Sequence, residues 1–118
     1  MPKKILIIDD DLTLTRLLTV FLRENGYYIA VASDGEEGLG KLVAECPDLI
    51  LLDVVMPRVN GYAFLFEMRK REIGVNVPVI VLTCKADMAD IFQAEGVAEY
   101  IIKPFKNKDL LDKVRKYI

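Results

Sequence analysis

Histidine is absent from all 118 residues, which removes the commonest general base near neutral pH and the commonest transition-metal ligand. Cysteine occurs only twice. Cys46 and Cys84 lack the spacing of a zinc or dithiol motif, and two such thiols fit a reducing cytosol. Basic residues are not in excess: sixteen Lys and Arg stand against eighteen Asp and Glu, for a net charge of −2. No basic stripe marks a nucleic-acid footprint. No apolar run approaches the ~20 residues of a membrane-spanning helix, and Met1-Pro2-Lys3-Lys4 leads directly into a strand, without a secretory signal. Repeats and low-complexity tracts are also missing. What the chain has in quantity is hydrophobic side chain, 53% of residues. That is too much for disorder and, at this length, enough for one domain with its own core.

The most informative stretch is Pro47-Asp48-Leu49-Ile50-Leu51-Leu52-Asp53-Val54-Val55-Met56-Pro57. An apolar run bounded by prolines reads as a strand buried on both faces, as in parallel sheets. Asp53 is the side chain that this strand delivers at its carboxyl end. Around it the chain alternates strand and helix five times. Strands are expected at Ile5–Ile8, Tyr28–Ala32 (an edge strand), the Asp53 stretch, Val79–Leu82 and Tyr100–Ile102. Helical spacing links Leu14, Leu17, Leu18, Phe21 and Leu22, with Asn25-Gly26 as the stop. Leu39, Leu42 and Val43 form a second stripe, and Leu65 and Met68 a third after Asn60-Gly61. Met88, Ile91 and Phe92 form a fourth before Glu95-Gly96, and Leu110, Leu111, Val114 and Ile118 a fifth. Alternation of this kind predicts an α/β fold with five helices on both faces of a five-stranded, doubly wound parallel sheet.

Such a sheet collects its strand ends on one edge, where open α/β folds bind ligands. The first strand ends in Asp9-Asp10-Asp11, the third in Asp53, the fourth in Thr83 and the fifth in Lys103. A helix N-terminus favours acidic residues, which explains one aspartate of the triplet well and three poorly. Two carboxylates about 4 Å apart repel by roughly 4 kcal/mol at an effective dielectric near 20. A hard divalent cation with oxygen ligands resolves that conflict, and Mg²⁺ with retained waters suits one or two carboxylates plus a phosphate. A carboxylate can then attack phosphorus and hold an acyl phosphate. The Lys103 ammonium and Thr83 hydroxyl can stabilise the equatorial oxygens during phosphoryl transfer. Singly, Lys103 reads as a solvated strand-end lysine and Thr83 as a β-branched strand residue; at matched strand ends they read as a site.

Taken together, the segments ILIIDDD at 5–11, DLILLDVVMPRVNGY at 48–62, VPVIVLTCKAD at 77–87 and EYIIKPF at 99–105 resemble a response-regulator receiver domain of two-component signalling. The resemblance spans essentially the whole chain. It implies a flavodoxin-like sheet of order 2-1-3-4-5, and the chain is expected to be a single receiver domain over 1–118 with no output domain. It implies Asp53 as phosphoacceptor, Asp10 and Asp53 as direct Mg²⁺ ligands, Asp9 acting through a metal-bound water, and the Val55 main-chain carbonyl as a third protein ligand. Thr83 and Lys103 match the phosphate-sensing hydroxyl and lysine, Tyr100 the aromatic switch position, and Lys103-Pro104 a cis bond. By the same resemblance, Val55 and Lys85 are expected to flank the path of the water that hydrolyses the acyl phosphate.

The chain departs from the family pattern in Arg58-Val59-Asn60 before Gly61, in Cys84, and in a Thr83-to-Lys103 segment about two residues shorter than usual. Two other classes fit less well. An aspartate-based phosphohydrolase resembles a pattern with a second acid where this chain has Val55, and a flavodoxin-like nucleotide binder would meet anion repulsion at Asp9-Asp10-Asp11. The expected protein is therefore a phosphorylation switch, catalysing only its own phosphorylation and dephosphorylation. Its expected partners are a histidine kinase or histidine phosphotransfer protein, which must supply the histidine this chain lacks, and a downstream protein target. It is expected to be a cytoplasmic monomer with no direct contact to nucleic acid or membrane.

Overall fold

The computed structural model describes residues 2–54, 60–84, 92 and 96–118. Its elements, in chain order, are β1 (Lys4–Ile8), α1 (Leu12–Glu24), β2 (Tyr28–Ala32), α2 (Gly35–Glu45), β3 (Leu49–Asp53), α3 (Gly61–Lys70), β4 (Val79–Thr83), β5 (Glu99–Ile102) and α4 (Asn107–Tyr117). The five strands form one parallel sheet in the order β2-β1-β3-β4-β5, so the strand at 28–32 does lie at an edge. Four helices are seen among the described residues. The additional helix expected over Met88, Ile91 and Phe92 lies outside them, except for Phe92, which is helical and fully buried.

The helices begin and end where the side chains dictate. Asp11, Asp34 and Asn60 each accept a backbone N–H three residues ahead, from Leu14 (3.1 Å), Glu37 (2.8 Å) and Ala63 (2.9 Å). Each thereby satisfies one of the donors a helix start leaves open. α1 stops at Asn25 and turns through Gly26, whose φ of 93° suits a residue without Cβ. α2 ends on Cys46 in the left-handed region, with Pro47 next.

β3 and β4 are buried along their whole length, as an apolar run in the middle of a parallel sheet requires. Side chains alternate across the sheet into two cores. Leu6, Ile8, Ile50, Leu52, Val79 and Val81 pack under α2 and α3 with Leu39, Phe64 and Met68. Ile5, Ile7, Leu49, Leu51, Ile80 and Leu82 pack under α1 and α4 with Leu18, Leu110 and Val114. Among the described residues, two members of the expected helical stripes face solvent instead: Leu17 and Val43 are exposed. Each sits next in sequence to a buried leucine, about 100° further round its helix and beyond the packed stripe. The sheet register carries Asp53 to the level of Leu82 and Ile80 to that of Glu99, so the ends of β1, β3, β4 and β5 share one edge.

Candidate functional site

That edge brings together residues widely separated in sequence. Carboxylate oxygens of Asp9, Asp10 and Asp53 all lie within 4.8 Å of one another. Asp9 and Asp53 are buried and Asp10 is exposed. Asp9 is held in place by its own backbone, whose N–H bonds the Ala32 carbonyl at 3.0 Å. Asp11 plays a different part from its neighbours. Its carboxylate caps α1, while its N–H donates to Asp9 Oδ1 at 2.9 Å. Of the three consecutive aspartates, one therefore belongs to the helix and two to the cluster.

Lys103 closes the cluster from the opposite side. Its N–H bonds the Thr83 carbonyl at 2.8 Å, and the Lys103–Pro104 bond that follows is cis. Its ammonium donates to Asp9 Oδ2 at 2.8 Å and stands 3.7 Å from Asp53 Oδ1. Both oxygens of Asp9 thus already accept a hydrogen bond, whereas Asp10 is exposed to solvent. Asp53 Oδ1 also accepts the Val54 N–H at 2.9 Å.

One cation does not balance three carboxylates. Burial, and next the charge of Asp9, push the Asp53 carboxyl up from 3.8 to about 6, against the opposing pull of Lys103 and the Val54 N–H. Burial alone would lower the Lys103 ammonium. The hydrogen bond to Asp9 and the charges of Asp9, Asp53 and Asp11 more than offset it and raise that pKa instead. The oxygen-only, anionic donor set is what a hard divalent cation selects, and a soft or imidazole-seeking metal would find no suitable ligand in it. The chemistry of the donors therefore fits Mg²⁺.

Thr83 ends β4 one residue beyond Leu82, the register partner of Asp53, and is fully buried. Tyr100 pairs with Val81 on the next strand and is half-buried against the core beneath α2 and α3. The Val55 carbonyl, Arg58, Val59 and Lys85 lie outside the described residues.

Gly61 was not singled out from sequence beyond its turn with Asn60, yet it abuts the site. Its N–H donates to the Val54 carbonyl at 2.9 Å, and a Cβ there would stand 2.5 Å from the Asp53 carbonyl oxygen and 2.9 Å from Val54 Cα. No side-chain pattern could have signalled this, because the requirement is for absent volume.

Comparison with known proteins agrees with this arrangement. A family described as "Response regulator receiver domain" matches residues 5–115. The chain is 40% identical over 115 residues to a "Probable transcriptional regulator ycf27" of Guillardia theta, covering 96% of this chain and 44% of that protein. It is 38% identical over 117 residues to the "DNA-binding response regulator MtrA" of Mycobacterium tuberculosis, covering 98% of this chain and 50% of that protein. The chain thus spans about half the length of these curated relatives. Among solved structures, the response regulator TrrA of Thermotoga maritima, crystallised in complex with Mg²⁺ and beryllium fluoride, superimposes with a TM-score of 0.88 at 34% identity, covering 98% of this chain and 99% of that one.

Proposed function

This chain belongs to the response regulator receiver domain family, and we propose that Asp53 is the carboxylate that takes up the phosphoryl group. The observation that carries this is the meeting of Asp9, Asp10 and Asp53 within 4.8 Å under the Lys103 ammonium, a charge pattern that welcomes a cation and a phosphoryl group together.

An oxygen of Asp53 attacks phosphorus, the P–N bond of a phosphohistidine on a partner protein breaks, and the imidazole leaves with the bonding electron pair. When bound, Mg²⁺ supplies charge neutralisation between carboxylates and phosphoryl oxygens. Asp10 and Asp53 would hold it directly, Asp9 through a water, with the Val55 carbonyl completing the protein ligands. Lys103 orients one phosphoryl oxygen by moving part of its interaction from Asp9 and Asp53 to the newcomer. Thr83 donates to another. Water attack on the acyl phosphate reverses the modification, so the chain turns over no substrate but its own aspartate.

The phosphoryl oxygen that engages Thr83 draws the end of β4 inward, and Tyr100 on β5 turns towards the space released. The surface around β5 and α4 then differs between the two states, and a partner that prefers one of them reads the signal. The donor is a histidine kinase or histidine phosphotransfer protein, and the output is a protein contact made by a cytoplasmic monomer. Direct nucleic-acid contact is not assigned to these residues, although MtrA is a DNA-binding regulator. Among the described residues no helix is long and apolar enough to cross a membrane.

The deciding experiment is incubation with acetyl phosphate and Mg²⁺ followed by intact-mass measurement. One phosphoryl adduct is expected in the wild type and none in Asp53→Asn, which keeps the side-chain shape but lacks the nucleophilic charge. A variant still labelled to the wild-type extent would move the acceptor to another carboxylate.

A further inference from the structure

Three aromatic rings run in file across one flank of the molecule. Tyr62, the second residue of α3, meets Phe92 edge-on, with centroids 6.2 Å apart and planes at 75°. Phe92 in turn lies against Tyr100 of β5, at 6.0 Å and 33°. The middle ring is fully buried, while Tyr62 is 42% exposed. A buried ring held between two others cannot shift towards one without leaving the other, because interiors are close-packed.

Both ends of this file are tied to the candidate site by backbone. Tyr62 follows Gly61, which is packed on the Asp53 carbonyl and bonded to the Val54 carbonyl. Tyr100 stands opposite Val81 in the sheet, two residues before Thr83 on β4. The path from Asp53 through Gly61 and Tyr62 to Phe92, and back through Tyr100, β4 and Thr83, is a closed circuit of packed groups.

We propose that Tyr62 is a positioning residue of the switch: acting through Phe92, it sets the resting place of Tyr100, and movement of Tyr100 is returned to the exposed start of α3. The signal then leaves by the α3 surface as well as by β5 and α4. This rests on Asp53 being the phosphoacceptor only for what sets the circuit moving; the coupling of the rings exists without it.

The test labels the full chain with 3-fluorotyrosine and follows Tyr62 and Tyr100 by fluorine NMR, each resonance assigned by its Tyr→Phe variant. In the unliganded protein, Tyr62→Leu should displace the Tyr100 resonance. Tyr62→Phe, which keeps the ring, should leave Tyr100 at its wild-type position. Adding Mg²⁺ with beryllofluoride should move both resonances in the wild type. In Phe92→Leu, or in Phe92→Met if the leucine variant folds poorly, Tyr100 should still move, while the Tyr62 shift should fall to the part that the Gly61 link alone passes on. A Tyr100 resonance indifferent to Tyr62→Leu overturns the proposal, as does a Tyr62 response undiminished by loss of the Phe92 ring. If beryllofluoride moves neither tyrosine and leaves the Asp53 and Thr83 amides in place, the phosphoacceptor assignment falls. The unliganded comparison then still decides the ring coupling.

Discussion

Lys103 and Asp9, 94 residues apart in sequence, are joined by a 2.8 Å charge-assisted hydrogen bond across the carboxyl edge of the sheet. The lysine read from sequence as a future partner of phosphate is therefore already engaged before any phosphate arrives. Its bond holds β5 to the end of β1 and neutralises one of the two buried carboxylates of the cluster.

Removing that ammonium should cost both stability and chemistry. Lys103→Met leaves Asp9, which is 3% exposed, with an unpaired charge beside Asp53. Breaking a buried pair from one side typically costs about 3–5 kcal/mol, and urea denaturation of the metal-free variant at pH 7.5 should show a loss near the lower figure, since Lys103 keeps some solvent contact. Labelling by acetyl phosphate should slow by about 10²-fold, as for loss of one transition-state charge partner. Wild-type stability in the variant would mean that solvent already screens the pair.

Mg²⁺ should stabilise the folded chain, because the three carboxylates converge only there. Mass action gives about 2.7 kcal/mol at a hundredfold excess over Kd. Asp9 and Asp10 are not equivalent in this respect. Asp10→Asn removes an exposed repelling charge that makes no bond to Lys103, so it should raise the Tm of the metal-free protein and abolish the Mg²⁺ response. Asp9→Asn gives up the charge-assisted bond to Lys103 and should not raise the metal-free Tm. Thermal melts with and without millimolar Mg²⁺ separate the two. Equal gains in both variants would contradict the assigned geometry.

Most of the fold was legible because its signals are local and redundant. The apolar runs into Asp53 and over Val79–Leu82 read as strands from their own residues, and Asn25-Gly26 and Asn60-Gly61 mark helix boundaries by their own chemistry. The convergence of Asp9, Asp10, Asp53, Thr83 and Lys103 followed from parallel topology, which puts every strand end on one edge. What the residues alone did not show was the division of labour within that edge, which only the family resemblance suggested. Three adjacent aspartates look alike in sequence, and only the turn after β1 decides that Asp11 caps α1 while Asp9 faces Lys103. Leu17 and Val43 show the converse. Apolar character at a stripe's margin does not reveal where packing stops.

The acidity of Asp53 should be visible in stability against pH. Its carboxyl ionises near 3.8 when free but at about 6 in the folded, metal-free chain, chiefly because burial disfavours the anion. The folded state therefore holds this proton more tightly than the unfolded state. The resulting stabilisation is complete below about 4 and is lost as pH rises through about 6. A shift from 3.8 to about 6 corresponds to about 3 kcal/mol at 1.36 kcal/mol per unit. Asp53→Asn cannot incur that loss, so its advantage over wild type should be largest above pH 7 and should shrink towards pH 4. Denaturation curves for both proteins in EDTA measure the difference directly. An advantage independent of pH would show that the carboxyl does not titrate in this window.

Gly61 offers the sharpest separation of site geometry from global stability. A methyl at this position would meet the Asp53 carbonyl oxygen at 2.5 Å and Val54 Cα at 2.9 Å, and both obstacles are backbone rather than the end of a flexible side chain. The contact can be relieved only by moving the start of α3 away from the end of β3, or by displacing the Asp53–Val54 peptide. The first stretches the Gly61 N–H to Val54 carbonyl bond, and the second re-aims the Asp53 carboxylate relative to Lys103. Overpacking typically costs about 1–3 kcal/mol, and Gly61→Ala should unfold at correspondingly lower urea. The more telling measurement is the rate of acetyl phosphate labelling under conditions where the variant remains fully folded. Misplacement of reacting groups by about 1 Å can cost 10²-fold in rate, so labelling should fall far more than the folded fraction does. Gly38→Ala is the fitting control, because its new Cβ would meet the Ile8 side chain, at 2.7 Å from Cδ1, and not the backbone of the site. That variant should lose stability with little change in labelling rate per folded molecule. Were Gly61→Ala to label as fast as Gly38→Ala at equal folded fraction, the close approach of α3 to Asp53 would be a packing detail without influence on the acceptor.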